Sequence, residues 1–133
     1  MLPKEYKWLE SEPGPKMLLE AIKLYGTSEV PGKQSNEEIM KWADELGLSS
    51  VYKNDDTAWC GLFVAICAKR AGKNMPFNNQ GALWARNWAK FGSELNAPEL
   101  GCVLVFARQG GGGHVAIYVG EDENCYHCLG GNQ

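Results

Sequence analysis

The chain has 133 residues, 44% of them hydrophobic and 22% charged, with a net charge of -3, the balance of one soluble domain spanning 1–133 that buries about two thirds of its unfolded surface. That charge gives no basic footprint for nucleic acid, and no apolar run approaches the roughly 18 residues of a membrane span. The amino terminus, MLPKEYKWLESEPGPK, places charges and prolines where a secretory signal needs an unbroken apolar region, which predicts synthesis and retention in the cytosol until something else releases the protein.

In chain order, PKMLLEAIKLYG reads as an amphipathic helix with Pro15 at its start, Leu18, Leu19, Ile22 and Tyr25 on the apolar face, and Gly26 as the stop. A polar loop leads to Ser35-Asn36-Glu37-Glu38, the spacing of a capping box, and then to Ile39, Trp42, Ala43 and Leu46, a second helix ending at Gly47. DDTAWCGLFVAICAKR predicts a third, capped by Asp56 or Thr57, with Leu62, Phe63 and Ile66 as its buried stripe and Gly72 as its stop. A fourth helix is expected over 81–91, with Trp84 and Trp88 stacked one turn apart. From Gly101 the pattern becomes strands: Cys102 to Ala107, then the loop QGGGG, then His114 to Val119, a turn about Glu121 to Asn124, and Cys125 to Leu129. Helices first and an antiparallel sheet afterwards make the expected class α+β.

Five cysteines in a chain without an export signal read as reduced thiols rather than as a disulfide framework. With Thr57 as cap, Cys60 falls at the third helical position, where free N–H groups and the positive end of the helix dipole favour a thiolate. The same N–H groups are suited to receive an oxyanion in acyl transfer. His114 opens an apolar strand, where its backbone is held rigidly and its ring can take the thiol proton and return it to a leaving amine. A helix-start cysteine and a strand-start histidine are the two parts that thiolate-based acyl transfer requires.

TAWCGLFVAICAKRAG, LGCVLVF, GGHVAIYVGED and LGGNQ, in that order, resemble a phage-associated family of peptidoglycan hydrolases within the NlpC/P60 and CHAP group of papain-like cysteine peptidases. The resemblance extends to YGTSEVPGKQSNEEIMKW, similar to that family's opening segment. It implies a papain-like domain in which helices pack on a small antiparallel sheet, with Cys60 as nucleophile and His114 as base. It further implies that the substrate is an amide bond in the stem or cross-bridge peptide of bacterial cell wall, reached through a holin, a secretion apparatus or lysis. The family also places the loop carrying Glu29 near the site as a substrate contact. Two departures stand out: relatives commonly run past GGNQ into a further strand, and NlpC/P60 members commonly have aspartate where this chain has Trp59. As the neighbour of Cys60, Trp59 is expected to wall the cleft.

A third group should orient the imidazole. A turn pairing Gly120 with Cys125 would set Gly131 opposite His114 and Asn132 beside it, leaving His127 opposite Tyr118, about 13 Å down the strand. That geometry favours Asn132, whereas the NlpC/P60 pattern tends to place a histidine where His127 falls. Cys125 and Cys128 would point to opposite strand faces and lack a second ligand pair, so no metal or other cofactor is expected. Cys67 and Cys102 read as core residues. Two other functions fit the same chain: acyl transfer to an amine by a transglutaminase-like enzyme, and a catalytically inactive module that binds wall peptide.

Overall fold

Nine consecutive apolar or small residues, Cys60 to Ala68, leave no polar face for water, so the helix they form is buried on all sides. The computed structural model describes residues 2–11, 15–25, 37–48, 59–77, 81–108 and 112–131. Among these, α1 (Lys16–Lys23), α2 (Glu37–Glu45) and α3 (Cys60–Arg70) precede three strands, β1 (Val103–Ala107), β2 (Gly113–Glu121) and β3 (Tyr126–Leu129). The strands form one antiparallel sheet in the order β1-β2-β3. With α1, α2 and β2 all packed against α3, the architecture is α+β. No helix among the described residues is long and apolar enough to cross a membrane.

The single buried stripe expected for α3 is therefore a whole buried helix, because it has neighbours all round. Only its last turn reaches solvent, where Arg70 binds the Glu45 carboxylate through Nε (3.2 Å) and Nη2 (3.0 Å). That guanidinium holds the Glu45 carboxyl below the usual carboxylate range, although partial burial opposes it. α2 buries Ile39, Trp42 and Ala43, as its spacing predicts. α1 is rotated from expectation: it buries Met17, Leu18 and Ala21, and leaves Leu19 and Tyr25 exposed.

The fourth helix is replaced by two 3₁₀ stretches, Gly81–Leu83 and Ala85–Lys90, separated by extended backbone at Trp84 (φ -90, ψ 111). Side chains take the carbonyls that a continuous helix would use. The indole of buried Trp88 donates to the Ala82 oxygen (2.8 Å), and Asn87 Nδ2 donates to that of Gly81 (2.9 Å). Trp88 lies between Phe77 and Phe91, each ring centroid 5.0 Å away, so it does not stack on Trp84, which is 69% exposed.

The β2–β3 hairpin also departs from its expected register. Its four-residue loop falls one residue later than anticipated, because the Asp122 side chain builds the turn: Oδ1 accepts the N–H groups of Asn124 (2.8 Å) and Cys125 (2.9 Å). Glu121 then pairs with Tyr126 and Gly120 with His127, and a bulge between Tyr118 and Gly120 sets Cys128 opposite Tyr118.

α3 can approach the 81–83 stretch only because residue 61 is glycine. A Cβ there would collide with the Ala82 carbonyl and lie 3.0 Å from the Leu83 carbonyl carbon. Gly61→Ala should destabilise the fold by about 1–3 kcal/mol in denaturant unfolding. Gly112→Ala, where a Cβ meets nothing within 4 Å, should change stability by no more than about 0.5 kcal/mol. Equal stabilities for the two variants would contradict the close approach at Gly61.

Candidate active site

The first intrahelical bond of α3 runs from Phe63 N–H to the Trp59 carbonyl (2.9 Å), so the N–H groups of residues 60–62 have no acceptor within the helix itself. Trp59 is the cap (φ -119, ψ 17), which makes Cys60 the first helical residue rather than the third. The caps expected at Asp56 and Thr57 lie outside the described residues. Starting the helix at Cys60 sets its thiol at the rim of the helix end, beside the first-turn N–H groups and the positive pole of the dipole.

Across from it, β2 delivers His114 as its second residue, 7% exposed. The two side chains meet, with the Cys60 thiol hydrogen-bonded to the His114 ring and to the backbone N–H groups of Val115 and Gly61. Burial pushes the Cys60 pKa up, but these hydrogen bonds and the charge of His114 outweigh it, so the thiol titrates below its ordinary value. A buried cysteine, 6% exposed as a residue, whose thiol is nonetheless easier to ionise than a free one is equipped as a nucleophile. Phe106, the cross-strand partner of His114, covers one face of the imidazole, with near-parallel rings (24°) and centroids 6.2 Å apart.

The other thiols lack these contacts. Burial drives Cys67 up to about 12, and burial together with nearby Cys102 raises Cys128. Among the described residues no group of three or more His, Cys, Asp or Glu side chains is arranged to hold a metal ion.

Of the remaining candidates, Trp59 requires a correction. It does not wall a cleft: its indole is 6% exposed and packs against Trp42 and Phe63, at centroid distances of 6.0 Å and 6.5 Å. Its position at the helix cap directs the ring inward beneath α3. Gly131 lies against the same ring, where a Cβ would fall 2.8 Å from Cζ3 and 2.9 Å from the Trp59 oxygen.

His127 is also not beside His114. Paired with Gly120, it lies six residues along the strand, about 20 Å at the usual rise, because the Asp122 turn moves it away from the site. Both its ring nitrogens are engaged elsewhere, Nδ1 with the Tyr6 hydroxyl (2.8 Å) and Nε2 with Asp122 Oδ2 (2.8 Å). That bond to His127, with the two turn N–H groups, holds the Asp122 carboxyl down at about 2. Asn132 and Glu29 lie outside the described residues.

The sequence reading did not pick out Phe106 or the Val115 N–H as parts of the site. The first needs the observed β1–β2 register, since folding the chain symmetrically about QGGGG would set Arg108, not Phe106, opposite His114. The second needs the packing of α3 on β2, which has no local signal.

A family model for the CHAP domain matches residues 52–132, which take in Cys60, His114 and the whole sheet. The chain belongs to the CHAP domain family. CHAP domains are papain-like and typically act as cysteine- and histidine-dependent amidohydrolases or peptidases, an activity associated with peptidoglycan. No curated protein and no solved structure matches the chain. α1 and α2 precede the matched CHAP segment and pack against α3.

The depressed Cys60 pKa gives a signed expectation. Iodoacetamide should alkylate Cys60 with a pH midpoint below the ordinary thiol value of about 8.5, and His114→Ala should move that midpoint upward. Cys67 should stay unlabelled in the native protein. Peptide mapping across a pH series checks both, and a midpoint at or above the ordinary value, indifferent to His114, would contradict the pairing.

Proposed function

We propose that this CHAP domain is a peptidoglycan hydrolase of the endolysin type, cleaving an amide bond in the stem or cross-bridge peptide of the wall through a thioester on Cys60. The observation that carries the reading is the hydrogen bond between the Cys60 thiol at the start of α3 and the His114 ring at the start of β2. In this reading Cys60 Sγ attacks the scissile carbonyl carbon, and the N–H groups at the helix start hold the oxyanion. His114, carrying the proton taken from the thiol, gives it to the departing amine as the C–N bond breaks. Water then adds to the thioester with His114 as base, releasing a carboxylate and restoring the thiol.

Asn132 is proposed as the residue that orients His114. The support is that Gly131, its neighbour, lies against Trp59, the residue preceding Cys60. His127 is set aside because its ring nitrogens bind Tyr6 and Asp122. Glu29 is retained as a candidate substrate contact. Association with a phage, and release to the wall by a holin, a secretion apparatus or lysis, belong to the same proposal and rest on the sequence resemblance.

Purified peptidoglycan incubated with the protein should yield fragments whose masses report a cut amide, with new amino and carboxyl ends and intact glycan linkages. Cys60→Ala and His114→Ala should each lower the rate by at least about a thousandfold with circular dichroism unchanged, and the double variant should be little worse than either, since the two act as a unit. Asn132→Ala should cost about ten- to a thousandfold and His127→Ala only a few fold. New reducing sugar ends with intact peptides, or full activity in Cys60→Ala, would overturn the reading. Acyl transfer on the same site would appear as a product joined to an added amine in place of the free carboxylate.

A further inference from the structure

A histidine at a strand end is only as well placed as the loop that precedes it. Before His114 the chain reads QGGGG, and glycine loses more conformational freedom on ordering than any other residue. At such a junction the first pairs of a hairpin tend to fray. The ladder itself contributes the pairs Ala107↔Gly113 and Phe106↔His114 at this end, and the loop mouth adds one bond from Arg108 N–H to the Gly112 oxygen (2.9 Å).

Arg86 supplies what the ladder lacks. From the second residue of the 85–90 stretch, its Nε donates to the Gly112 oxygen (2.8 Å) and its Nη2 to the Arg108 oxygen (2.9 Å). One planar guanidinium thus bridges both sides of the loop mouth, a two-donor geometry that a lysine ammonium does not reproduce. The stem of Arg86 passes over Gly113, where a Cβ would stand 3.0 Å from Arg86 Cγ and 2.7 Å from the Phe106 oxygen. Glycine at the position before His114 is what lets the arginine through.

The other end of the same segment touches the nucleophile's helix. Buried Ala85 and Trp88 seat it in the core, the Trp88 and Asn87 bonds to Ala82 and Gly81 close it on itself, and the Ala82–Leu83 backbone lies against Gly61. Residues 81–88 therefore bridge the residue after Cys60 and the loop before His114.

We infer that Arg86 is a positioning residue: by tying Arg108 and Gly112 it holds His114 at the Cys60 sulfur. The inference rests on the Cys60–His114 reading given above, and the hydrogen bonds by which Arg86 acts go to Gly112 and Arg108.

The test uses the full chain with Arg86→Ala and Arg86→Lys, read by the pH profile of Cys60 alkylation, by kcat and KM on soluble wall peptide, and by thermal unfolding. In Arg86→Ala the alkylation midpoint should rise toward that of His114→Ala. Turnover should fall about ten- to a hundredfold, the cost of a small displacement of a reacting group, with KM within about twofold. Arg86→Lys, which keeps the charge and most of the stem, should fold normally yet recover only part of the turnover. In a His114→Ala background, Arg86→Ala should cost nothing more. A wild-type alkylation profile in a folded Arg86 variant would overturn the inference, as would an undiminished loss in the His114→Ala background. Should Arg86→Ala fail to fold, a wild-type profile in Arg86→Lys would overturn it equally, and a raised one would support it. Because alkylation needs no substrate, these profiles judge the clamp even if the wild-type protein left the wall intact, a result that would count against the hydrolase reading alone.

Discussion

The Cys60 sulfur must lie where the start of a helix meets the start of a strand, and close packing beside both serves that approach. At the helix end the sulfur receives the Gly61 N–H; from the strand it receives the Val115 N–H and the His114 ring. No single element could provide all three, so the nucleophile exists only when α3 is seated on β2. Both elements are buried over most of their length, α3 from Cys60 to Ala68 and β2 from His114 to Val119. Their mutual position is therefore fixed by the core rather than by surface contacts.

Glycines mark where that seating is tightest. Gly61 admits the 81–83 backbone beside the nucleophile, Gly113 admits the Arg86 stem beside the base, and Gly131 admits the chain against Trp59. Each lies within one residue of a group proposed for the chemistry, so the absent side chains act as spacers for the site. Trp42, Trp59 and Phe63 form the floor under the helix start. The electrostatic result is a competition: burial alone would keep the thiol protonated, as it does for Cys67 one heptad later at about 12. The difference between the two cysteines lies in the donors around Cys60, which Cys67 in the middle of the same helix does not have.

Much of this was legible in the residues, and the failures have identifiable causes. α2 and β2 follow from their patterns because each buries the residues that make it, and β1, half-buried from Val103 to Phe106, follows from its apolar run. Cys60 and His114 stood out because a thiol at a helix start and an imidazole at a strand start are chemically conspicuous wherever they pair. Trp84 and Trp88 have the spacing of a helix, but the Trp88 indole takes a carbonyl from the backbone, a competition that spacing does not reveal. The β2–β3 register turned on one carboxylate, Asp122, choosing which residues form the turn. Trp59 looked like a cleft wall because its neighbour is the nucleophile, yet adjacent residues at a helix cap point in different directions. Arg86 acts on carbonyls 22 and 26 residues away, through contacts that exist only in the folded chain.

The central claim is that Cys60 becomes covalently acylated while His114 moves the proton, and the most direct measurement is to catch that acyl group. The protein should be quenched in acid while turning over a wall peptide, digested, and the Cys60 peptide weighed by mass spectrometry. The account predicts an added mass equal to the acyl half of the cleaved substrate, located on Cys60 and released by a strong nucleophile such as hydroxylamine. Sustained turnover with no acyl group on Cys60, or with the group on another residue, would contradict it.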